Sequence, residues 1–160
     1  VHSNGYSLVR RIVEISGLGW DAPCPWGEGS LGAALLQPTR LYVRPVLQAI
    51  SEGGVHALAH ITGGGLTENV PRVLPEGLGA EIDLGAWEVP GVFRWLAETG
   101  GLAEEELLKT FNAGIGMVVA AAPDEAGRVV DVLQEAGETV HRIGHVVTGD
   151  GTVRYTGRLL

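Results

Sequence analysis

The stretch that most constrains the fold is a run of three glycines between two apolar segments. Residues 55–61 form an apolar run, the glycines follow, and a helical pattern then extends to about Leu74. We call Thr62, Gly63, Gly64 and Gly65 the glycine loop. A strand, a glycine turn and a helix start in this order are typical of a phosphate-binding loop, because glycines let successive backbone N–H groups face one ligand.

A plain tight turn between a strand and a helix has the same order of elements. The stretch lacks the Lys-Ser/Thr ending of the common P-loop, and it does not match G-x-G-x-x-G. At this point the residues leave both interpretations of the glycine loop open.

Composition and charge limit the class of protein. With 160 residues and 45% hydrophobic content, the chain suits one domain with a sizeable core. No apolar run approaches the roughly 20 residues that span a bilayer, so we expect no membrane partner. The formal net charge of −8 and the lack of a basic stripe argue against nucleic acid as a partner. A phosphate ligand must therefore be held by backbone dipoles and a few placed cations, or by charge from a partner.

The single cysteine bears on the cellular compartment of the protein, and the first residues bear on the extent of the chain. Cys24 lies between two prolines without a nearby Cys or His, so we interpret it as an inert loop thiol of a cytoplasmic protein. The chain opens on Val1, and His2-Ser3-Asn4-Gly5, which resembles a working motif, stands at its end. We therefore expect a fragment of a longer protein.

Apolar periodicity and turn residues predict alternating helices and strands. Helices are predicted over about 5–16, 31–36, 41–51 and 68–74, from Pro90, from Glu104 and from Pro123 to Gly137. Strands are predicted over 55–62, 80–84, 118–122 (buried on both faces), 140–147 and 152–155, the last two as a hairpin. Several strand connections are too short for crossover helices. We therefore predict a single α+β domain, in which helices pack on a mixed β-sheet.

Two histidine pairs raise the question of a metal site. His56 and His60 are four residues apart, as are His141 and His145, and both pairs fall in predicted strands. Four residues of a strand span roughly 13 Å, whereas two ligands of one zinc ion must each lie within about 2 Å of it. Neither pair can share an ion, and a site built from one His of each pair stays as the alternative. We predict no metal site and expect His60 to donate a hydrogen bond to phosphate.

The chain shows no pattern for covalent catalysis. It contains no G-x-S-x-G motif, the lone cysteine has no partner, and no pair of carboxylates suggests an acid–base couple. The glutamates at 104–106 are favourable charges on a helix first turn. The candidate residues are therefore groups that hold a ligand, and the catalytic residues are unknown.

Four motifs together carry a family resemblance. They are His-Ser-Asn-Gly-Tyr-Ser-Leu-Val-Arg at 2–10, Leu-Leu-Gln-Pro-Thr-Arg-Leu-Tyr-Val at 35–43, the stretch at 60–72, and Phe-Asn-Ala-Gly-Ile-Gly-Met at 111–117. In this order they resemble the C-terminal domain of phosphoribosylformylglycinamidine cyclo-ligase, also called aminoimidazole ribonucleotide synthetase. The resemblance covers essentially the whole chain.

The resemblance implies an ATP-dependent enzyme of purine biosynthesis. ATP would phosphorylate the amide oxygen of formylglycinamidine ribonucleotide, and the amidine nitrogen would then displace phosphate to close the imidazole ring of aminoimidazole ribonucleotide. In the family the active site lies in a groove between two domains, and the full-length enzyme is a homodimer. The N-terminal domain, absent from this chain, carries the ATP loop and the acidic Mg²⁺ ligands. The isolated domain is therefore expected to be inactive.

The same resemblance selects residues for the groove. Ser3 and Asn4 are good N-caps for the first helix, but with His2 they become expected groove residues. The residues expected to bind substrate or nucleotide phosphate are His2, Ser3, Asn4, His60, Thr62, Gly63, Gly64, Gly65, Asn69, Arg72, Asn112 and Gly114.

Two alternatives stay open. One is a superfamily relative that uses the same domain: formylglycinamidine ribonucleotide synthase, selenophosphate synthetase, thiamine-phosphate kinase or a hydrogenase maturation factor. The other is a nucleotide-binding module without chemistry.

Overall fold

The computed structural model describes residues 1–160 as alternating helices and strands. The helices are α1 (Tyr6–Ser16), α2 (Leu31–Leu35), α3 (Val43–Glu52), α4 (Gly65–Asn69), α5 (Gly91–Gly100), α6 (Glu104–Thr110) and α7 (Ala126–Glu135), with a 3-10 helix at Pro71–Val73. The strands are β1 (Val55–His60), β2 (Leu78–Asp83), β3 (Met117–Ala121), β4 (Gly144–Thr148) and β5 (Val153–Thr156). No helix combines the length and the apolar character needed to cross a membrane.

The strands form two sheets. In the first, β1 and β3 are antiparallel, with His60 opposite Met117. In the second, β2 lies between β4, which runs antiparallel to it, and β5, which runs parallel. The predicted α+β class, with a mixed sheet and packed helices, is confirmed, and the strands are divided between the two sheets.

The predicted hairpin of the last two strands is wrong. β4 and β5 lie on opposite edges of β2, so that Ala80 is opposite both Val146 and Val153. β2 can pair on both edges because each strand has hydrogen-bonding groups on two sides. Placing it in the centre also buries Ala80 and Ile82 in the core. A short connection makes a hairpin favourable, but it does not prevent a distant strand from inserting.

Two apolar clusters hold the elements together. The larger contains 23 buried residues and joins α1, α5 and α6 to β2 and to the end of β1; Ile12, Leu96 and Phe111 are among its members. The smaller contains Ala49, Val129, Val132 and Leu133 and packs α3 and α7 against the β1–β3 sheet. Ile12 of α1, Leu96 of α5 and Val129 of α7 belong to the predicted stripes and are buried, whereas Ile15 of the α1 stripe is 60% exposed.

β3 is less buried than its continuous apolar sequence predicts. All five of its residues are only half-buried, so the prediction of a strand covered on both faces is wrong. The reason is its position: β1 covers one edge of β3, and the other edge borders an open cleft.

Candidate ligand-binding site

The glycine loop connects the end of β1 to a short helix. Gly64 and Gly65 have φ values of 96° and 57°, which L-residues with side chains rarely adopt. A Cβ on Gly65 would lie 1.9 Å from the Leu108 carbonyl oxygen and 2.7 Å from that of Phe111. Gly65 is thus required because α4 begins against the C-terminal end of α6. The predicted helix at 68–74 is replaced by α4 and a 3-10 turn, since Pro71 has no N–H to continue α4.

Asn69 holds the glycine loop together. Its side chain is 7% exposed, and Nδ2 lies 2.8, 3.1 and 3.4 Å from the carbonyl oxygens of Gly65, Gly63 and Thr62. Asn69 is a residue that the family resemblance assigns to phosphate binding, and its amide nitrogen faces the loop backbone. The structure makes Asn69 a positioning residue for the loop rather than a free donor.

Arg72 is already paired. Its guanidinium lies 3.1 Å from the Glu68 carboxylate and donates to the Asn69 Oδ1 at 3.3 Å. Both ion-pair side chains are substantially exposed, so the attraction is screened by water. A phosphate at this position would compete with Glu68 for the guanidinium.

The first residues of the chain lie beside the glycine loop. His2 Nε2 is 3.1 Å from the Ile61 carbonyl oxygen, and Nδ1 is 2.9 Å from the Thr39 hydroxyl. Because a carbonyl only accepts, Nε2 carries the proton and Nδ1 accepts from Thr39. Burial lowers the pKa of His2, which the Ile61 contact partly opposes. The imidazole is thus a neutral group with both nitrogens used.

Asn4 and Ser3 do not cap α1 as predicted. The N-cap is Gly5, at φ 78°, and no side chain accepts a hydrogen bond there. Asn4 Nδ2 instead donates to the Thr110 carbonyl, while Ser3 is exposed and donates to Asn4 Oδ1. A Cβ on Gly63 would lie 3.9 Å from that of Asn4, so the first residues and the glycine loop are neighbours.

His60 belongs to a small group of rings at the end of β1. Its ring centroid is 5.7 Å from that of His2 and 5.9 Å from that of Tyr42, which meets it edge-on. His60 is exposed, and no hydrogen bond occupies its ring. Burial, followed by the nearby Glu138, raises the pKa of Tyr42, so its hydroxyl stays protonated and can donate.

Asn112 and Gly114 form a tight turn. The Asn112 Oδ1 accepts from the Gly114 N–H at 3.1 Å, and the Trp87 indole N–H donates to the Ala113 carbonyl at 2.9 Å. A Cβ on Gly114, whose φ is 102°, would lie 2.6 Å from the Pro90 ring. The turn is therefore fixed on both sides, and the Asn112 Nδ2 group makes no hydrogen bond within the chain.

One cavity collects several of these groups. It has a volume of about 430 Å³, and its lining includes His2, Arg40, Tyr42, Asn112 and Gly114. The glycine loop, Asn69 of α4 and Arg72 of the 3-10 helix do not line this cavity. The structure therefore places the predicted residues at two adjoining positions, which the His2 contact with the end of β1 connects.

Comparison with known proteins identifies the family. The model of the AIR synthase related protein, C-terminal domain, matches residues 1–156. The chain belongs to this family. Among solved structures, E. coli HypE, a hydrogenase maturation protein, superposes with a TM-score of 0.65 at 24% identity. Thiamine-monophosphate kinase from Stenotrophomonas maltophilia K279a superposes with a TM-score of 0.61 at 18% identity.

These two alignments cover 98% and 99% of this chain but 44% and 49% of the proteins it matches. The AIR synthase related domain thus spans about half the length of these structural relatives. At these identities the likeness shows the shared fold.

Sequence reasoning missed several lining residues of this AIR synthase related domain. Arg40 and Tyr42, which line the cavity, and Thr39, which contacts His2, lie within the motif at 35–43, where local pattern indicates only a loop and a helix start. Arg40 Nε lies 2.6 Å from Glu138, which is far along the chain, so this pairing could not be predicted from local pattern. The family motif at 35–43 was the sequence signal that could have indicated these residues.

The domain has no cluster suited to a metal ion. Nowhere do three or more His, Cys, Asp or Glu side chains come together. The two histidine pairs of the alternative zinc site are on different sheets: His56 and His60 lie on β1, whereas His145 lies on β4 and His141 precedes that strand.

Proposed function

We propose that this domain is the C-terminal half of phosphoribosylformylglycinamidine cyclo-ligase. The reaction transfers the γ-phosphoryl group of ATP to the amide oxygen of formylglycinamidine ribonucleotide. The amidine nitrogen then attacks the carbon that bears the phosphorylated oxygen, and phosphate leaves to give aminoimidazole ribonucleotide. The observation that carries the proposal is the meeting of two distant motifs, at His2 and at Asn112, in one cavity.

The free donors of the cavity suit an oxygen-rich ligand. Asn112 keeps Nδ2 available because its Oδ1 is used by Gly114, and Tyr42 makes no hydrogen bond through its hydroxyl. Arg40 is neutralised by Glu138, so the cavity offers neutral donors rather than a free cation. We assign these donors to uncharged oxygens of the ribonucleotide and leave its phosphate to the glycine loop.

The glycine loop can bind phosphate through its backbone. Gly63 is exposed, and its position next to Asn4 leaves the loop open toward the first residues of the chain. Arg72 would add a cation if phosphate displaced Glu68. His2 acts as a positioning residue that joins the loop to the cavity, and we assign no general base.

The proposal includes a second domain of the same protein, which supplies charged groups to the active site. We propose that an N-terminal domain provides the ATP loop and the Mg²⁺ ligands and that the cytoplasmic, full-length enzyme is a homodimer. An apolar stripe supports such a contact: Val43, Leu47 and Ile50 of α3 are 66%, 59% and 45% exposed. They recur at helical spacing on one side of the helix, as expected for a covered surface.

The test is ADP release by the full-length enzyme. We expect turnover with formylglycinamidine ribonucleotide and none with thiamine monophosphate or selenide as the acceptor. Turnover with one of the latter would replace the cyclo-ligase by that superfamily relative. Nucleotide binding without turnover of any of these substrates would favour a binding module.

One variant tests the cavity within that assay. Asn112→Asp keeps the oxygen that accepts from Gly114 and removes the Nδ2 donor, so the turn should persist while a ligand contact is lost. Loss of about 1–3 kcal/mol corresponds to a roughly 5- to 150-fold decrease in kcat/KM. Gln134→Glu, an exposed change on α7, is the control with the same chemistry. Unchanged kcat/KM for Asn112→Asp would remove Asn112 from the site.

A further inference from the structure

The C-terminal end of α7 has a fixed backbone geometry. The Gly137 N–H donates to the Gln134 carbonyl at 2.9 Å, and the Glu138 N–H donates to the Leu133 carbonyl at 3.0 Å. These two bonds form the Schellman motif that commonly ends a helix, and Gly137 permits it because its φ is 88°. The motif sets the direction of the Gly137 carbonyl and the point from which the Glu138 side chain extends.

Arg40 reaches this helix end from the motif at 35–43. Its Nη2 donates to the Gly137 carbonyl at 2.8 Å, and its Nε lies 2.6 Å from the Glu138 carboxylate. Two contacts on one planar guanidinium hold it in a single orientation. The Nη1 group makes no hydrogen bond within the chain. Arg40 also lines the cavity of about 430 Å³, which we call the candidate cavity, so it is a fixed group at the wall of the candidate site.

The Arg40–Glu138 pair differs from the Arg72–Glu68 pair in the burial of its carboxylate. The Glu138 side chain is 13% exposed and has no other ion-pair partner, whereas the Glu68 side chain is 45% exposed. If Arg40 moved to a ligand, a largely buried carboxylate would lose its counter-ion, which is costly. Glu68 would instead be hydrated after such a loss. Arg72 can therefore exchange its partner for a phosphate, and Arg40 stays with Glu138.

The candidate cavity has no uncompensated cationic side chain. Burial raises the pKa of the Tyr42 hydroxyl, Glu138 raises it further and Arg40 lowers it, so the two charges oppose each other at this wall. The other charged side chain of the lining is Glu28, which is exposed and forms no ion pair. The Val1 amine also borders the cavity, and burial lowers its pKa. A phosphate in this cavity would thus meet a free carboxylate and no free side-chain cation.

We propose that Glu138 is a positioning residue that sets the charge specificity of the candidate cavity. It holds the Arg40 guanidinium in place and offsets its positive charge, so that Nη1 donates to an uncharged oxygen of the ligand while phosphate is excluded. Phosphate binds instead at the glycine loop, where Arg72 can change its partner. The inference rests on the proposed function, which assigns uncharged oxygens of the ribonucleotide to this cavity. Glu138 lies outside the four sequence motifs, so only the fold connects it with the site.

The test is a titration of the intact chain with inorganic phosphate, followed by NMR at two reporter groups. The Asn112 side-chain amide reports on the candidate cavity, and the Gly63 backbone amide reports on the glycine loop. In the original protein, phosphate should shift the Gly63 signal and leave that of Asn112 unchanged. A shift at Asn112 as large as that at Gly63 would overturn the proposal. Absence of a shift at Gly63 would count against the phosphate-binding loop of the proposed function, because the result at Asn112 decides the role of Glu138 independently.

Glu138→Gln separates the charge of Glu138 from its shape. The amide keeps an oxygen that can face the guanidinium and removes the negative charge, so the positive charge of Arg40 becomes available in the cavity. We expect phosphate to shift the Asn112 signal in this variant, with an affinity higher by about five-fold or more, the effect of one unit charge at a partly exposed site. The double variant Arg40→Gln/Glu138→Gln should lose this gain. No gain in Glu138→Gln, or a gain that persists without Arg40, would contradict the proposal.

Glu135→Gln is the matched control. Glu135 is exposed at the end of α7 and forms no ion pair, and its substitution changes the net charge of the chain by the same amount. The control should leave the phosphate response at Asn112 unchanged, and an equal gain in it would refute a specific role of Glu138. Because the expected result is a gain of binding, an unfolded variant cannot imitate it.

The original protein supplies a second readout that needs no variant. The Nε–H signals of Arg40 and Arg72 are followed by NMR during the same titration. The Arg72 signal should shift as phosphate replaces Glu68, whereas the Arg40 signal should stay in place because its carboxylate partner is largely buried. A shift of the Arg40 signal equal to that of Arg72 would mean that both ion pairs exchange, and Glu138 would then not fix the guanidinium.

Discussion

Asn69 provides the sharpest test of how the glycine loop is built. Its Nδ2 group has two hydrogens, and its two shortest contacts, 2.8 and 3.1 Å, are with the carbonyls of Gly65 and Gly63. At about 0.5–1.5 kcal/mol for each hydrogen bond, Asn69→Ala should lower the free energy of unfolding by about 1–3 kcal/mol. Asn69→Asp should cost more, about 2–4 kcal/mol, because it turns an acceptor oxygen toward those carbonyls.

The assay is urea unfolding followed by tryptophan fluorescence, since Trp87 is buried and reports on the core. With a urea dependence of about 2 kcal/mol per M, a loss of about 3 kcal/mol lowers the midpoint by about 1.5 M. Arg72→Gln is the matched control. It removes the partner of Asn69 Oδ1 but leaves the Nδ2 contacts, and it should change stability by less than about 1 kcal/mol.

The result that would refute this reasoning is a midpoint for Asn69→Asp equal to that of the original protein. In that case the amide is free in solution, and the sequence-based assignment of Asn69 as a direct phosphate ligand would stand. Loss of stability in both Asn69 variants, without loss in Arg72→Gln, would establish Asn69 as the residue that shapes the loop.

Two further predictions concern backbone and pH. Gly65→Ala should lower the free energy of unfolding by several kcal/mol, because the new Cβ would lie 1.9 Å from a carbonyl oxygen. The control is Gly77→Ala, at φ 82° with nothing within 4 Å, which should lower it by only about 1–2 kcal/mol. Equal losses of stability in thermal unfolding of the two variants would exclude the steric cause. Because burial lowers the pKa of His2, the unfolded chain binds more protons, so stability present above about pH 6.5 should be lost as the pH falls through the folded-state pKa. His2→Gln should remove this part of the pH dependence of the urea midpoint. An unchanged slope between about pH 5 and 7.5 would contradict the half-buried, neutral imidazole.

Patterns within short segments were sufficient for the helices and for the family. α1, α5 and α7 follow from apolar residues at helical spacing, because most residues of such a stripe lie on the face that the helix buries. The four motifs indicated the superfamily domain that the family model confirms over residues 1–156. These features depend on neighbours in the chain, which a sequence displays directly.

Contacts between distant residues were decided only by the tertiary structure. The insertion of β2 between β4 and β5, the pairing of Arg40 with Glu138, and the contact of His2 with the end of β1 each join segments far apart in sequence. The sequence by itself determined which residues are glycine, asparagine or histidine. Whether such a residue faces a ligand or holds the backbone depends on what the fold places opposite it, as Asn69 shows by directing its amide into the glycine loop.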